Sequence, residues 1–179
     1  MQQAKTFDLD QLVSDLRAAA TGEDAVEQIR LLLQKAVQDP QLTWSSMPAF
    51  ENDETILFED DSISIWHCRF QPGHTVPAHD HQMRATIAVY HGAERNDFFE
   101  KMPSGELKRS ETVEVTAGDV LQIKPDAVHA VGCASQEPCC GIHVYQGNLT
   151  QVERSLFDTD SNLAMPYSKE NYARLTRAD

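Results

Sequence analysis

Basic residues and long apolar segments are both scarce in this sequence. Lys and Arg together number 15 against 28 Asp and Glu, which gives a formal net charge of −13. Nucleic-acid binding depends on clustered Lys and Arg that displace counterions from phosphates, so we expect no nucleic-acid partner. No apolar run approaches the roughly 18 residues that span a bilayer, and residues 1–6 lack the apolar core of a signal peptide. We therefore expect a cytoplasmic protein that binds no membrane.

Cysteine is also sparse, and its spacing excludes the common cysteine motifs. The four cysteines are Cys68, Cys133, Cys139 and Cys140, and no pair has the Cys-x-x-Cys spacing of a redox or zinc motif. A cytoplasmic location keeps thiols reduced, so we expect no structural disulfide. We interpret the vicinal pair Cys139-Cys140 as two small half-buried residues, because neither a basic neighbour nor a helix N-terminus activates a thiol there.

The length of 179 residues fits one domain, which we expect to be a monomer or a homodimer. We divide it into a helical extension (1–45), a β-rich region (46–150) and a C-terminal tail (151–179). In the extension, apolar residues recur at helical spacing after Asp8 and again after residues 21–24. Asp39-Pro40 ends the second pattern because proline disfavours helical geometry in the residue before it. We predict two helices that cover an open face or edge of a sheet.

The β-rich region consists of short runs of Ile, Val, Phe and Tyr separated by Gly, Pro, Asp and Asn. Such a series of short strands with regular turns is typical of a barrel or a double-sheet jelly roll, which limits exposed strand edges. The predicted strands are 55–58, 62–70, 76–81, 86–90, 96–99, 107–115, 120–123, 128–131 and 140–145. Past Gly147 the pattern fades, and Tyr167 and Tyr172 are the main apolar anchors of the tail.

Three histidines in two of these strands form a candidate metal site. In a strand, side chains at i and i+2 point to the same face, so His79 and His81 point together and Asp80 points away. A His-x-His pair alone is more often found on a protein surface. A third ligand, His129, at the start of a separate strand would complete a facial set with open coordination positions. The combination favours a metal site.

The segments around these histidines resemble the cupin superfamily. The first runs from Gly73 through His79-Asp80-His81 to Gly92, and the second runs from Gly118 through Pro125 to His129. Residues 89–95 and 142–149 are similar to runs in bacterial members of the cysteine dioxygenase-type thiol dioxygenases. The resemblance covers residues 60–150. It implies an all-β cupin double-stranded β-helix, or jelly-roll barrel, with two N-terminal α-helices.

The resemblance also implies a cofactor and a reaction. The cofactor is a mononuclear non-haem Fe(II) held by His79, His81 and His129; three imidazoles also suit zinc, nickel, copper or manganese. The glutamate ligand of the general cupin pattern is missing from residues 82–86. A neutral ligand set leaves the metal charge uncompensated and favours an anionic thiolate. The implied reaction adds both atoms of dioxygen to a small thiol carboxylate, cysteine-like or 3-mercaptopropionate-like, and yields a sulfinic acid.

The family's Ser-x-His-x-Tyr run near the metal corresponds to Gly141, His143 and Tyr145. The serine is therefore missing. His143 and Tyr145 lie on one face of a strand, and the resemblance implies that they are catalytic, with the phenol donating a hydrogen bond to oxygen or substrate. The alternative is that they are ordinary hydrogen-bonded residues of the barrel interior.

Two further positions depart from the animal enzymes. Thr86 lies near the position of the cysteine that cross-links to the tyrosine there, so we expect no thioether. Residues 55–65 lack the arginine that binds the substrate carboxylate. We predict that Arg84 binds this carboxylate instead, since guanidinium pairs bidentately with carboxylates. A solvated surface arginine is the alternative.

Two other functions stay open at this level. One is a three-histidine cupin dioxygenase that acts on a carbon substrate such as a β-diketone. The other is a non-catalytic cupin that binds a small molecule, with or without a metal. Metal content and oxygen consumption distinguish all three.

Overall fold

The β-rich region forms two antiparallel sheets in a computed structural model that describes residues 6–178. Its nine strands are β1 (Glu54–Glu59), β2 (Ser64–Phe70), β3 (His74–His79), β4 (Ala85–His91), β5 (Ala93–Lys101), β6 (Leu107–Thr116), β7 (Val120–Ile123), β8 (Val128–Cys133) and β9 (Cys139–Tyr145). The first sheet has the order β1-β2-β9-β4-β7, and the second includes the order β3-β8-β5-β6. Each sheet interleaves early strands with late ones, as in a jelly roll, and the predicted double-stranded β-helix is confirmed.

All nine predicted strands are present, but one ends earlier than expected. β3 stops at His79, and its pairing with β8 shifts register between Val76 and His79. Beyond it, Asp80 accepts a hydrogen bond from the backbone N–H of Ser155 at 2.8 Å, and Gln82 has a φ of 55°. His81 is therefore presented by the turn after β3, which the buried Asp80 carboxylate connects to Ser155.

The C-terminal segment extends the second sheet, although no strand was predicted past Gly147. It contains β10 (Ser155–Asp158), β11 (Leu163–Pro166), a helix α4 (Lys169–Leu175) and β12 (Arg177–Ala178). β10 and β12 both pair with β3, on the edge opposite β8. These strands are too short for a period-2 pattern, and pairing with an existing edge determines their conformation.

Three helices precede the sheets, one more than predicted: α1 (Leu9–Ala20), α2 (Ala25–Val37) and α3 (Pro40–Ser46). Pro40 follows the end of α2, as expected, and also begins α3. Its fixed φ suits the first helical position, and the Asp39 side chain accepts a hydrogen bond from the N–H of Leu42 at 3.2 Å. Among residues 6–178, no helix is both long and apolar enough to cross a membrane.

The first two helices pack on the outer face of the five-stranded sheet. Leu16 and Leu33 are fully buried there, in one apolar cluster with Ile142 and Val144 of β9. Truncation of such a leucine to alanine typically costs about 2–5 kcal/mol. Every residue of β9 is buried, because alternate side chains face the helices on one side and the opposite sheet on the other. The face turned toward the opposite sheet carries the polar residues of the site.

The buried His67 on β2 makes the stability of the fold sensitive to pH. Its ring packs on Phe50 with centroids 4.2 Å apart, and its Nδ1 atom has no hydrogen-bond partner among the described residues. Desolvation, helped by the nearby Arg69, lowers the pKa of His67 to about 4. Between pH 6.5 and 4 the unfolded chain takes up a proton that the folded protein does not. The stabilisation present above pH 6.5 is therefore lost as the pH falls through this window.

We expect the free energy of unfolding to decrease in this window by up to about 1.4 kcal/mol per pH unit from this residue. Urea unfolding at several pH values between 7.5 and 4.5 measures the slope. His67→Phe should make the slope shallower than that of the wild type, whereas substitution of the exposed His74 by Asn should not. Parallel curves for the wild type and His67→Phe would show that His67 is protonated equally in both states.

Candidate metal centre

A small cavity between the two sheets contains all three predicted metal ligands. His79 of β3 and His129 of β8 are register partners, and His81 follows β3 directly. The three side chains are buried, with 5%, 2% and 2% of their surface exposed for His79, His81 and His129. The cavity has a volume of about 30 Å³. The other sheet closes it with Trp66, Cys68 and Phe70 of β2 and with His143 and Tyr145 of β9.

The three imidazoles present converging nitrogen atoms. One ligand atom from each residue lies within 4.8 Å of the other two. The Nε2 atoms of His79 and His81 are 3.1 Å apart. Two nitrogens that each lie about 2.1 Å from one metal at a right angle are about 3 Å apart. The observed separation fits neighbouring ligands of a single ion.

Hydrogen bonds orient two of the three rings. The Nδ1–H of His79 donates to the carbonyl oxygen of Pro77 at 2.8 Å, and the Nδ1–H of His129 donates to Oδ1 of Asn96 at 2.8 Å. In both rings the Nε2 lone pair is then available for a metal. The Nε2 atom of His129 is buried and has no hydrogen-bond partner among the described residues. Such an orphaned acceptor is costly in a protein interior, and a bound cation would satisfy it.

The environment keeps all three rings neutral, as metal ligation requires. Burial lowers the pKa of His79 to about 4. Burial and the two neighbouring rings hold the pKa of His81 well below its usual value, and burial does the same for His129. The donor set therefore fits a divalent transition metal, and it contains no carboxylate. Three imidazoles accept Fe(II) as well as zinc, nickel, copper or manganese.

The side chain of Asp80 points away from the centre, as the strand pattern predicted. Its carboxylate accepts hydrogen bonds from the Ser155 N–H at 2.8 Å and from the Gln82 side-chain amide at 2.7 Å. Asp80 thereby attaches β10 to the end of β3 and leaves the metal charge uncompensated.

His143 and Tyr145 lie beside the ligands. The Tyr145 ring is 4.9 Å from the His81 ring, and its hydroxyl is 3.5 Å from Nδ1 of His143. Burial raises the pKa of the Tyr145 phenol, so it stays protonated at neutral pH. Burial alone would lower the pKa of His143, but the acidic groups of Cys68 and Glu94 raise it well above its usual value. The buried Glu94 carboxylate accepts a hydrogen bond from Nε2 of His143 at 3.0 Å.

The passage out of the cavity contains a different arginine from the predicted one. The cavity continues into an outer groove of about 1180 Å³. Both are lined by Glu54, Trp66, Leu149, Arg154 and Tyr167. The Arg154 guanidinium lies 3.7 Å from the centre of the Tyr167 ring. Among the described residues that line the cavity, Arg84 is not included. Its role as a carboxylate anchor stays a prediction.

Sequence reasoning missed both groups of polar residues that surround the ligands. Arg154 and Tyr167 belong to the C-terminal segment, where no periodicity indicated that the chain returns to the site. Glu94 and Asn96 stand at i and i+2 on β5, and both are buried. The sequence signal that could have identified them is two polar residues at i and i+2, which lie on one face of a strand.

Several solved structures have a fold similar to that of this chain at low sequence identity. A Klebsiella pneumoniae protein with a double-stranded β-helix domain is 16% identical, with a TM-score of 0.47 over 63% of this chain and 90% of that one. A cupin-like protein of Thermotoga maritima is 18% identical, with a TM-score of 0.45 over 68% of this chain and 82% of that one. An oxalate decarboxylase variant of Bacillus subtilis is 16% identical, with a TM-score of 0.45 over 60% of this chain and 29% of that one.

No protein-family model matches the sequence, and no curated protein matches it. The similarities concern the fold alone, and the activity follows only from the chemistry of the site residues.

Proposed function

We propose that the protein is an iron-dependent dioxygenase that oxidises a small thiol carboxylate to a sulfinic acid. The supporting observation is a centre of three neutral imidazoles with no carboxylate, in a small cavity whose passage carries a guanidinium. Fe(II) held by these residues would keep its positive charge and open coordination positions, and so supply affinity for a thiolate and reducing electrons for dioxygen. Both oxygen atoms end on the substrate sulfur.

The size of the cavity determines which end of a substrate enters. The cavity beside the histidines is small, about 30 Å³, and so favours the narrow thiol end of a substrate over its bulkier charged end. The charged end of a short substrate then stays in the passage, next to Arg154. Trp66, Phe70 and Val131 form an apolar wall around the sulfur end, which excludes bulk water and strengthens the electrostatic interactions there.

Tyr145 and His143 control a proton at the reacting end. With His143 protonated, its Nε2–H donates to Glu94 and its Nδ1–H faces the Tyr145 oxygen. The phenolic proton is then free to be donated into the cavity, toward the atoms that gain negative charge. The Nδ1 atom of a neutral His143 would instead accept a hydrogen bond from the phenol and so direct the O–H away from the substrate.

Charged residues in the passage select the substrate. Arg154 provides a bidentate partner for a carboxylate. Glu54 lines the same passage and places a negative charge near it. A substrate that carries an ammonium group as well as a carboxylate matches both residues, so a cysteine-like thiol is favoured over a 3-mercaptopropionate-like one. A neutral β-diketone has no charged group to match either residue.

The three histidines should each be required for metal binding. We expect His79→Ala, His81→Ala and His129→Ala to retain no stoichiometric iron after anaerobic loading and desalting, because two imidazoles form a weak site. Elemental analysis measures the metal content. His74→Ala, which removes an exposed histidine from the same strand as His79, should bind iron like the wild type. Loss of iron in the control variant, or full retention in the others, contradicts the assigned ligands.

The iron-loaded protein should consume oxygen in the presence of small thiol carboxylates. We expect a higher kcat/KM with cysteine than with 3-mercaptopropionate, because only cysteine carries the ammonium group that Glu54 favours. An oxygen electrode with cysteine, 3-mercaptopropionate and a β-diketone measures the rates, and mass spectrometry identifies a sulfinic acid with two added oxygen atoms. Turnover of the β-diketone alone would establish the carbon-substrate alternative. If none of the three compounds supports oxygen consumption, the proposed reaction is refuted.

The two candidate arginines can be separated by parallel substitution. We expect Arg154→Gln to raise the KM for a thiol carboxylate by about 10- to 100-fold, the usual contribution of a charge-assisted hydrogen bond. The KM for the corresponding thiol amide, which lacks the charge, should change little. Arg84→Gln is the matched control, since Arg84 lies outside the cavity lining. The reverse result, with the loss confined to Arg84→Gln, would identify Arg84 as the anchor.

A further inference from the structure

The buried Glu94 carboxylate is hydrogen-bonded to His143 and, through Asn96, is connected to the candidate metal ligand His129. Glu94 has 1% of its surface exposed. Its Oε2 accepts a hydrogen bond from Nε2 of His143 at 3.0 Å, and its Oε1 accepts one from the side-chain amide of Asn96 at 3.0 Å. An ionised carboxylate is expensive to bury unless hydrogen bonds and an opposite charge compensate it. Both of its oxygen atoms are used in this way.

Asn96 carries the connection onward to a metal ligand. Its amide nitrogen donates to Glu94, so its oxygen is directed toward His129, where it accepts the Nδ1–H at 2.8 Å. Asn96 is completely buried and cannot turn its amide without breaking both bonds. The orientation of Asn96 therefore selects the His129 tautomer whose Nε2 lone pair points into the centre.

Gly141 explains why a carboxylate can occupy this position. A Cβ atom at residue 141 would lie 3.3 Å from Nε2 of His143 and 3.0 Å from the carbonyl oxygen of Ala88. A side chain at residue 141 would thus approach the same imidazole nitrogen that Glu94 contacts. Residue 141 is the position at which the thiol dioxygenases have a serine. In this chain glycine leaves that nitrogen to Glu94, which reaches it from the opposite sheet.

We propose that Glu94 is a positioning residue that replaces the missing serine at His143 and, through Asn96, also orients the metal ligand His129. This role rests on the proposed function for its effect on turnover, but its effects on the two imidazoles and on metal affinity do not depend on the reaction. A serine at residue 141 would act on His143 alone. Glu94 has two arms: one is its contact with His143, and the other is its contact with Asn96. The orientation of His143 and the orientation of His129 therefore depend on the same carboxylate.

Glutamine at residue 94 tests the two arms together, because its side chain has one acceptor oxygen in place of two. Asp97→Asn is the matched control. Asp97 is a second buried carboxylate of β5, but it binds the Thr112 hydroxyl at 2.6 Å and the Arg109 guanidinium at 3.6 Å. Thermal unfolding verifies that each variant is folded before the other measurements.

Nitrogen-15 NMR of the histidine rings in the metal-free protein reports directly on Glu94. At pH 7 we expect an imidazolium at His143 and a single Nδ1–H tautomer at His129 in the wild type and in Asp97→Asn. In Glu94→Gln we expect a neutral His143, a mixture of His129 tautomers, or both, according to which arm the amide retains. Unchanged signals from both rings in Glu94→Gln would overturn the proposal.

Metal affinity provides the second readout, with Co(II) alone as the probe. We expect Glu94→Ala, which removes both acceptor oxygens, to weaken Co(II) binding by about 10- to 100-fold, the usual effect of removing the partner that orients a metal ligand. Asp97→Asn should bind Co(II) like the wild type. Equal affinities for Glu94→Ala and the wild type would overturn the role assigned to the Asn96 arm.

Reintroduction of the serine separates the two arms. In Glu94→Ala/Gly141→Ser, the hydroxyl should restore a single His143 tautomer and part of the oxygen consumption that Glu94→Ala loses, while Co(II) affinity stays low because serine does not reach Asn96. A double variant no better than Glu94→Ala in either respect would overturn the equivalence of Glu94 and serine. If the wild-type protein consumes no oxygen with any thiol, the proposed function fails, and the NMR and Co(II) measurements still decide the role of Glu94.

Discussion

Side-chain alternation along β9 is the constraint that ties the helices to the candidate metal centre. Every residue of this strand is buried, so each face requires a cover of its own. Ile142 and Val144 face outward and are covered by α1 and α2. His143 and Tyr145 consequently face inward, where the second sheet covers them with three histidines. A one-residue slip in the register of β9 would place the polar residues against the helices and the apolar ones in the cavity.

The buried charges of His143 and Glu94 are paired with one another and not with the metal position. Burial keeps the three candidate ligands neutral, and among the described residues no carboxylate belongs to their cluster. The buried Glu94 carboxylate is instead paired with His143 and held by Asn96. A cation bound by these histidines would therefore keep most of its positive charge. The dry environment strengthens each of these interactions.

The C-terminal segment completes the site from outside the barrel. β10 pairs with β3 at His79 itself, and the buried Asp80 carboxylate holds the start of β10 in place. This attachment brings Arg154, one residue before β10, to the passage above the histidines. The elements that present the metal ligands and the element that presents the guanidinium are therefore parts of one sheet. Arg154 and the candidate ligand His79 are positioned by the same pairing of β10 with β3.

The sequence by itself determined the features that depend on local periodicity and spacing. The nine strands and the first two helices follow from period-2 and period-3.6 patterns and from turn residues. The set His79, His81 and His129 was expected from the resemblance of the segments around these histidines to cupins. The inward orientation of His143 and Tyr145 follows from the same alternation. Only the tertiary structure decided the rest. Arg154 reaches the cavity through an edge pairing with no sequence pattern, and Glu94 reaches His143 across the gap between two sheets. Such contacts depend on the packing of distant strands, which no local pattern encodes.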